Sequence, residues 1–197
     1  LALLNPVLLY FEGELLFDSL LALLCLVWLV EVERCKERPS LVRWLLVGFM
    51  FGILCCIRPP FLIIAPFAFA WIVLRYFTSG ARREGMKVLL TIALGCVLPI
   101  IPITIRNYVV GHDLVLIAYQ GGINFYIGNN PEADGHSSMM PGLRGASWEN
   151  REQTYIVEKA LGHPPSPSEE SWFWYRKGIR FIVEHPMQYF SLLMKKA

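Results

Sequence analysis

The residue types best suited to chemistry fall into three groups. Glu12, Glu14 and Asp18 form an acidic cluster leading into a long apolar run, and Glu14 and Asp18, four apart, would share a helix face. Arg58 precedes Pro59-Pro60, and Arg106 follows an apolar stretch containing Pro99 and Pro102. A guanidinium stays charged and can grip two phosphate oxygens at once, so this pair suits an anionic ligand. Gln120, Asn124, Asn129 and Asn130 are amides that donate and accept together, which suits sugar hydroxyls. Each group also has a structural use: carboxylates favour helix N-termini, arginines anchor at lipid headgroups, and Asn with Gly builds turns.

The elements that must position these groups are apolar runs. The chain has 197 residues, 55% hydrophobic and 17% charged, with a mean hydropathy of +0.45. Residues 15–30 carry only Asp18 as a charge, and 44–57, 59–74 and 88–105 carry none. A helical span needs about 20 mostly apolar residues, and four such helices would demand a larger soluble core than this chain can wrap. The composition excludes disorder, a nucleic-acid-binding tail and a disulfide scaffold; the net charge of +2 points to no electrostatic partner. The expected partner is the lipid bilayer. The expected fold is mainly α: a polytopic membrane helix bundle over residues 1–105, with four spans at about 7–30, 41–57, 59–77 and 88–105. A small mixed α/β outer domain over 106–197 follows, ending in an interfacial helix.

Loop charge sets the orientation. Arg34, Lys36, Arg38 and Arg43 fill one loop and Arg75, Arg82, Arg83 and Lys87 another, so both are expected on the cytoplasmic side. The chain before the first span, the Arg58 turn and everything after Arg106 then lie outside. Asp18 sits one turn into the first span and should face protein or a water-filled cavity. The prolines near Arg106 are expected to break the fourth span and open a polar cavity there. All five cysteines fall in spans or a cytoplasmic loop, so no disulfide is expected.

In the outer segment, Leu114–Tyr119 and Ile123–Ile127 flank Gln120-Gly121-Gly122 and predict a strand pair. A loop over 128–146 leads to a helix over Trp148–Leu161 ended by Gly162. Ser166, Pro167 and Glu169 predict an N-cap, a first helical proline and a capping-box glutamate. The helix they open runs to His185, with Trp172, Tyr175, Ile179 and Ile182 packing on a membrane-proximal face. Met187–Met194, followed by Lys195 and Lys196, reads as an interfacial helix. The histidines are dispersed, Glu132 and Asp134 offer at most a loose divalent site, and nucleotide-binding glycine patterns are absent. The chain starts with Leu without a signal-peptide pattern and reads as a fragment.

The stretches Tyr10–Asp18, Gly52–Pro59, Arg106-Asn107-Tyr108, Gly121–Pro131 and His185-Pro186, in this order, resemble bacterial membrane glycosyltransferases of the C-type fold. The group resembled is family 39, the dolichyl-phosphate-mannose-protein mannosyltransferase-like enzymes. The resemblance implies transfer of a sugar from a polyprenyl-phosphate donor to a lipid, glycan or protein acceptor at the outer face of the inner (cytoplasmic) membrane. It implies no tightly bound cofactor and leaves a divalent metal open. Glu12, Glu14 and Asp18 would be supporting carboxylates, with Asp18 standing where a Glu is often found. Arg58 and Arg106 would hold the donor phosphate. The principal acidic residue of such enzymes lies in a first outer loop that would precede Leu1, so the catalytic base is expected outside this sequence. Two other classes stay open: a transporter or lipid flippase, which would not need the long outer segment, and a non-catalytic membrane scaffold, which would not need arginines aimed at a cavity.

Overall fold

The computed structural model describes residues 18–78, 80–136 and 151–196. Among them the chain is mainly α: α1 (Asp18–Glu37), α2 (Leu41–Ile57), a 3-10 helix (Pro59–Ile64), α3 (Ala65–Thr78), α4 (Arg82–Gly111), α5 (Gly121–Gly128), α6 (Arg151–Leu161), α7 (Pro167–Glu184) and α8 (Pro186–Lys196). The chain divides into two compact units, Leu1–Ile105 and Arg106–Ala197.

In the first unit, α2 and α4 meet backbone to backbone. A Cβ on Gly48 would fall on the Ile92 carbonyl, one on Gly52 on the Cys96 carbonyl and 2.6 Å from Pro99 Cγ, and one on Gly95 on the Leu45 carbonyl. Glycines four apart on one helix, facing a third on its neighbour, permit this close approach. α1 joins through the Trp28 indole N–H, which donates to the Val47 carbonyl at 3.1 Å, and through ring contact between Trp28 and Phe51. The buried centre is Cys35, Trp44, Val47 and Val88.

Pro59 and Pro60 set the break after α2. A residue before proline is pushed into extended backbone, and Arg58 takes φ −134°, ψ 92°. The helix ends at Ile57, and a 3-10 turn carries the chain to α3. The expected span at 59–77 is therefore two elements.

Four full spans are not what the described residues show. Among them α4 is the one helix both long and apolar enough to cross a membrane unaided, and only 17% of its apolar window is buried. α1 fails because Glu31, Glu33, Arg34 and Glu37 occupy its last two turns, α2 is shorter at 17 residues, and residues 7–17 lie outside the described ones. The expected break at Pro99 and Pro102 does not occur either: α4 runs through both to Gly111. Each proline forfeits one hydrogen bond, and leaving the helix would strand many more backbone groups in apolar surroundings.

The second unit corrects the expected mixed α/β domain, since no strand occurs among the described residues. The stretch assigned to a second strand is α5. Ile123, Tyr126 and Ile127 fit helical spacing while Ile123, Phe125 and Ile127 alternate, and Gly122 decides between them, because its Cα lies against the backbone of Ser171 on α7 where no Cβ fits. Tyr126 packs on Trp174 at 5.1 Å, and Gly178 makes room for the Phe125 ring. Leu114–Tyr119 is irregular chain. The helix expected over 148–161 is described from Arg151 and ends at Leu161. α7 begins as the sequence predicts, with both halves of the capping box formed around Ser166 and Glu169, and Pro186 opens α8.

Replacing Gly52 with valine should force α2 and α4 apart and cost about 1–3 kcal/mol. The same chain carrying Gly111→Ala, where nothing lies within 4 Å, should unfold as the wild type does. Thermal unfolding in detergent compares them, and an unchanged midpoint for Gly52→Val would remove the glycine contact as the organiser of this unit.

Candidate functional site

Arg58 stands at the junction of α2 and the 3-10 helix, with its backbone N–H on the Leu54 carbonyl at 2.8 Å and its carbonyl accepting from Phe61 N–H at 3.0 Å. Its side chain is exposed. Arg106, also exposed, lies on the last turns of α4 and reaches the Asn107 side-chain oxygen at 3.5 Å. Arg58 belongs to the first unit and Arg106 opens the second. Asp18 is the first residue of α1, and Glu12 and Glu14 lie outside the described residues.

The amide group separates into two pairs. Asn129 donates to the Phe125 carbonyl at 2.8 Å. Asn130, buried, donates to the Tyr126 and Ile127 carbonyls and accepts from Glu132 N–H at 2.9 Å. These two side chains close the C-terminus of α5, the turn role open to Asn, and their amide protons are engaged by carbonyls that the helix end would leave bare. Gln120 and Asn124 are exposed and four apart, so they share one face of α5.

Two acidic residues that the sequence did not single out are more tightly held. Asp113 accepts from the Ser168 N–H at 2.6 Å and from its hydroxyl at 2.8 Å. Pro167 has no N–H, and Ser166 Oγ takes the Glu169 N–H, so every donor in the first turn of α7 is answered. Burial raises the Asp113 carboxyl, but the bonds from Ser168, Leu114 and Ser166 together outweigh it and hold the group below its ordinary value. Asp113 lies 55 positions from Ser168, which is why spacing could not reveal it.

Glu170 is buried beside Gln153 and Trp174 and accepts from the Thr154 hydroxyl at 3.2 Å. Desolvation raises this carboxyl, against the pull of the Thr154 bond. Among the described residues the Trp174 indole N–H is buried without a partner. The signal available in the sequence was Glu170 and Trp174 falling one turn apart, on the opposite side of α7 from Trp172 and Ile179. It is this opposite stripe, Glu170, Trp174, Gly178 and Phe181, that packs inside the unit; Trp172 and Ile179 stay exposed.

The first unit holds an apolar cavity of about 380 Å³ lined by Trp28, Glu33, Trp44, Phe51, Trp71 and Cys96 among others, with Glu33 its charged member. Arg58 does not line it. Among the described residues no cluster of three metal-ligating side chains occurs. No known protein family, curated protein or solved structure matches the chain.

The two carboxyls predict opposite pH responses. Asp113, depressed in the folded state, stabilises above its ordinary value of 3.8, and that contribution is lost as pH falls through the folded value. Asp113→Ala should cost about 1–2 kcal/mol at pH 7. Glu170, raised in the folded state, stabilises fully as the neutral acid below 4.5 and loses that contribution as pH rises through its folded value. Glu170→Gln should therefore raise the unfolding midpoint at pH 7 and match wild type at pH 4, followed by tryptophan fluorescence. A midpoint at pH 7 no higher than wild type would mean that Glu170 ionises without penalty.

Proposed function

We propose that the chain is part of a membrane glycosyltransferase resembling the family 39 enzymes, moving a sugar from a polyprenyl-phosphate donor to an acceptor at the outer face of the inner membrane. The observation that carries this reading is the placement of Arg58. A permanent cation sits at a proline-enforced gap between two apolar elements, where an α-helix has ended and the next regular turn has not begun. On the orientation expected from loop charge this turn lies at the outer surface, where a guanidinium held beside two prolines suits a phosphate.

The membrane location is supported by the exposure of α4, since the core helix of a soluble protein would bury most of its apolar surface. Leu90, Leu94, Leu98, Ile101 and Ile105 are all exposed along it, as are Leu20, Leu23, Leu26 and Leu29 on α1. α2 is about 26 Å long, and the 3-10 helix with α3 adds about 33 Å of rise. On this reading all four cross, the Arg34 and Arg82 loops are cytoplasmic and the second unit is outside. Gln120 and Asn124, with their amides exposed, are the better placed of the four amides to meet a sugar.

The chemistry is displacement at the anomeric carbon. A carboxylate takes the proton of the acceptor hydroxyl as its oxygen attacks, and the departing lipid phosphate carries its negative charge to a guanidinium. In the full-length protein, assayed with radiolabelled polyprenyl-phosphate sugars, Arg58→Ala and Arg106→Ala should each lower turnover about a hundredfold. Lysine should restore only part of it, because an ammonium does not bind two oxygens in a fork. Asp18→Asn should lower transfer without blocking membrane insertion. Near-normal turnover in both alanine variants, with altered insertion, would make the arginines headgroup anchors instead.

A further inference from the structure

The second unit leaves an apolar groove of about 400 Å³ open at its surface, with Leu114, Leu116 and Tyr119 on one wall and Trp172, Tyr175 and Ile179 on the other. Leu114 is 72% exposed and Trp172 57%. Val183 on α7 and Tyr108, Val109 and Val110 at the end of α4 are exposed as well. A soluble surface rarely carries so much apolar area without a partner.

Two clamps fix where the groove lies. The Asn107 amide, on the last turns of α4, donates to the Val115 carbonyl at 3.0 Å and the Ile117 carbonyl at 3.1 Å, pinning the Leu114–Ala118 wall to that helix end. Asp113, through Ser168, pins the start of α7 to the same stretch of chain. The walls are thus set against the point where α4 leaves its apolar stretch. On the membrane reading above, on which this inference rests, that point is the bilayer surface. The side chains match the depth: Trp172 and Tyr175 form an edge-on pair at 6.2 Å, amphipathic rings that favour the headgroup level. Arg176 and Arg180, exposed beside them, suit anionic headgroups.

We infer that this groove is seated in the bilayer, taking phospholipid acyl chains between Leu114, Leu116, Trp172 and Ile179, so that the second unit rests on the membrane surface rather than standing off it. The seat would hold the exposed Gln120 and Asn124 within a short distance of a lipid-borne sugar.

The test places the photo-reactive residue benzoylphenylalanine, one position at a time, in the full chain reconstituted in phosphatidylethanolamine–phosphatidylglycerol vesicles with radiolabelled acyl chains. Positions Leu116 and Ile179 report the groove, Leu94 on α4 the membrane crossing, and Lys159, exposed on α6, a site facing water. Lipid adducts at Leu116 and Ile179 should be comparable with those at Leu94 and about tenfold or more above Lys159, as between acyl-buried and hydrated positions. Adducts at Leu94 with none at Leu116 and Ile179 would overturn the seat and leave the membrane reading standing. No lipid adduct at Leu94 would overturn both. A protein adduct of two copies at Leu116 and Ile179, in place of lipid, would give the groove to a second chain and also overturn the seat. All four positions are exposed, and an unfolding midpoint equal to wild type confirms that each variant is folded.

Discussion

Two helices can bring their backbones into contact only where neither interposes a Cβ, and both units of this chain are organised by that constraint. In the first, Gly48 and Gly52 on α2 meet Gly95 and the Ile92 and Cys96 carbonyls on α4. In the second, Gly122 lies on the Ser171 backbone and Gly178 accepts the Phe125 ring. The surrounding contacts are consequences of this closeness. Tyr126 can stack on Trp174 because α5 and α7 are already in contact at Gly122, and α1 adds to α2 through the Trp28 bond to the Val47 carbonyl. Dispersion falls off steeply with separation, so a few tenths of an ångström at the glycines propagate into many lost atom pairs around them.

The second constraint is the accounting of helix ends. α7 answers each first-turn donor with a named acceptor, Ser166 for Glu169 and Asp113 for Ser168, and the C-terminus of α5 is closed by Asn129 and Asn130. α8 adds the Gln188 amide on the Pro131 carbonyl at 2.9 Å and Lys196 Nζ on the Gly128 carbonyl. These bonds leave little freedom in the loops around α5 and α7.

The proposed chemistry and the fold make complementary demands. Phosphate departure needs fixed positive charge and partial exclusion of water, while the apolar helices can tolerate a cation only where the backbone opens. On the proposed reading Arg58 would meet the first demand at a turn that Pro59 and Pro60 enforce between two apolar elements. The buried Glu170 and the unpartnered indole N–H of Trp174 are the costly features of the second unit, since an isolated polar group out of water is destabilising unless it is paired. They lie within its buried helix packing, so they bear on stability.

Much of the local structure was legible in the sequence alone. The capping box at Ser166 and the proline at Pro167 located the start of α7, because capping chemistry involves residues three apart and needs nothing from the rest of the chain. The end of α2 before Pro59 and the change of helix at Pro186 were legible for the same reason. The strand pair expected at 114–127 failed where a short apolar run fits both periods, and the choice fell to Gly122, whose role depends on Ser171, far along the chain. Gly48 and Gly52, spaced four apart, carry no local signal of their partner Gly95, which only the packing of α2 on α4 supplies. The Asp113–Ser168 clamp, the burial of Glu170 and the inward stripe of α7 likewise belong to the tertiary structure. Local rules act over three or four residues and can be read off the chain; which face of a helix is buried depends on what the fold brings against it.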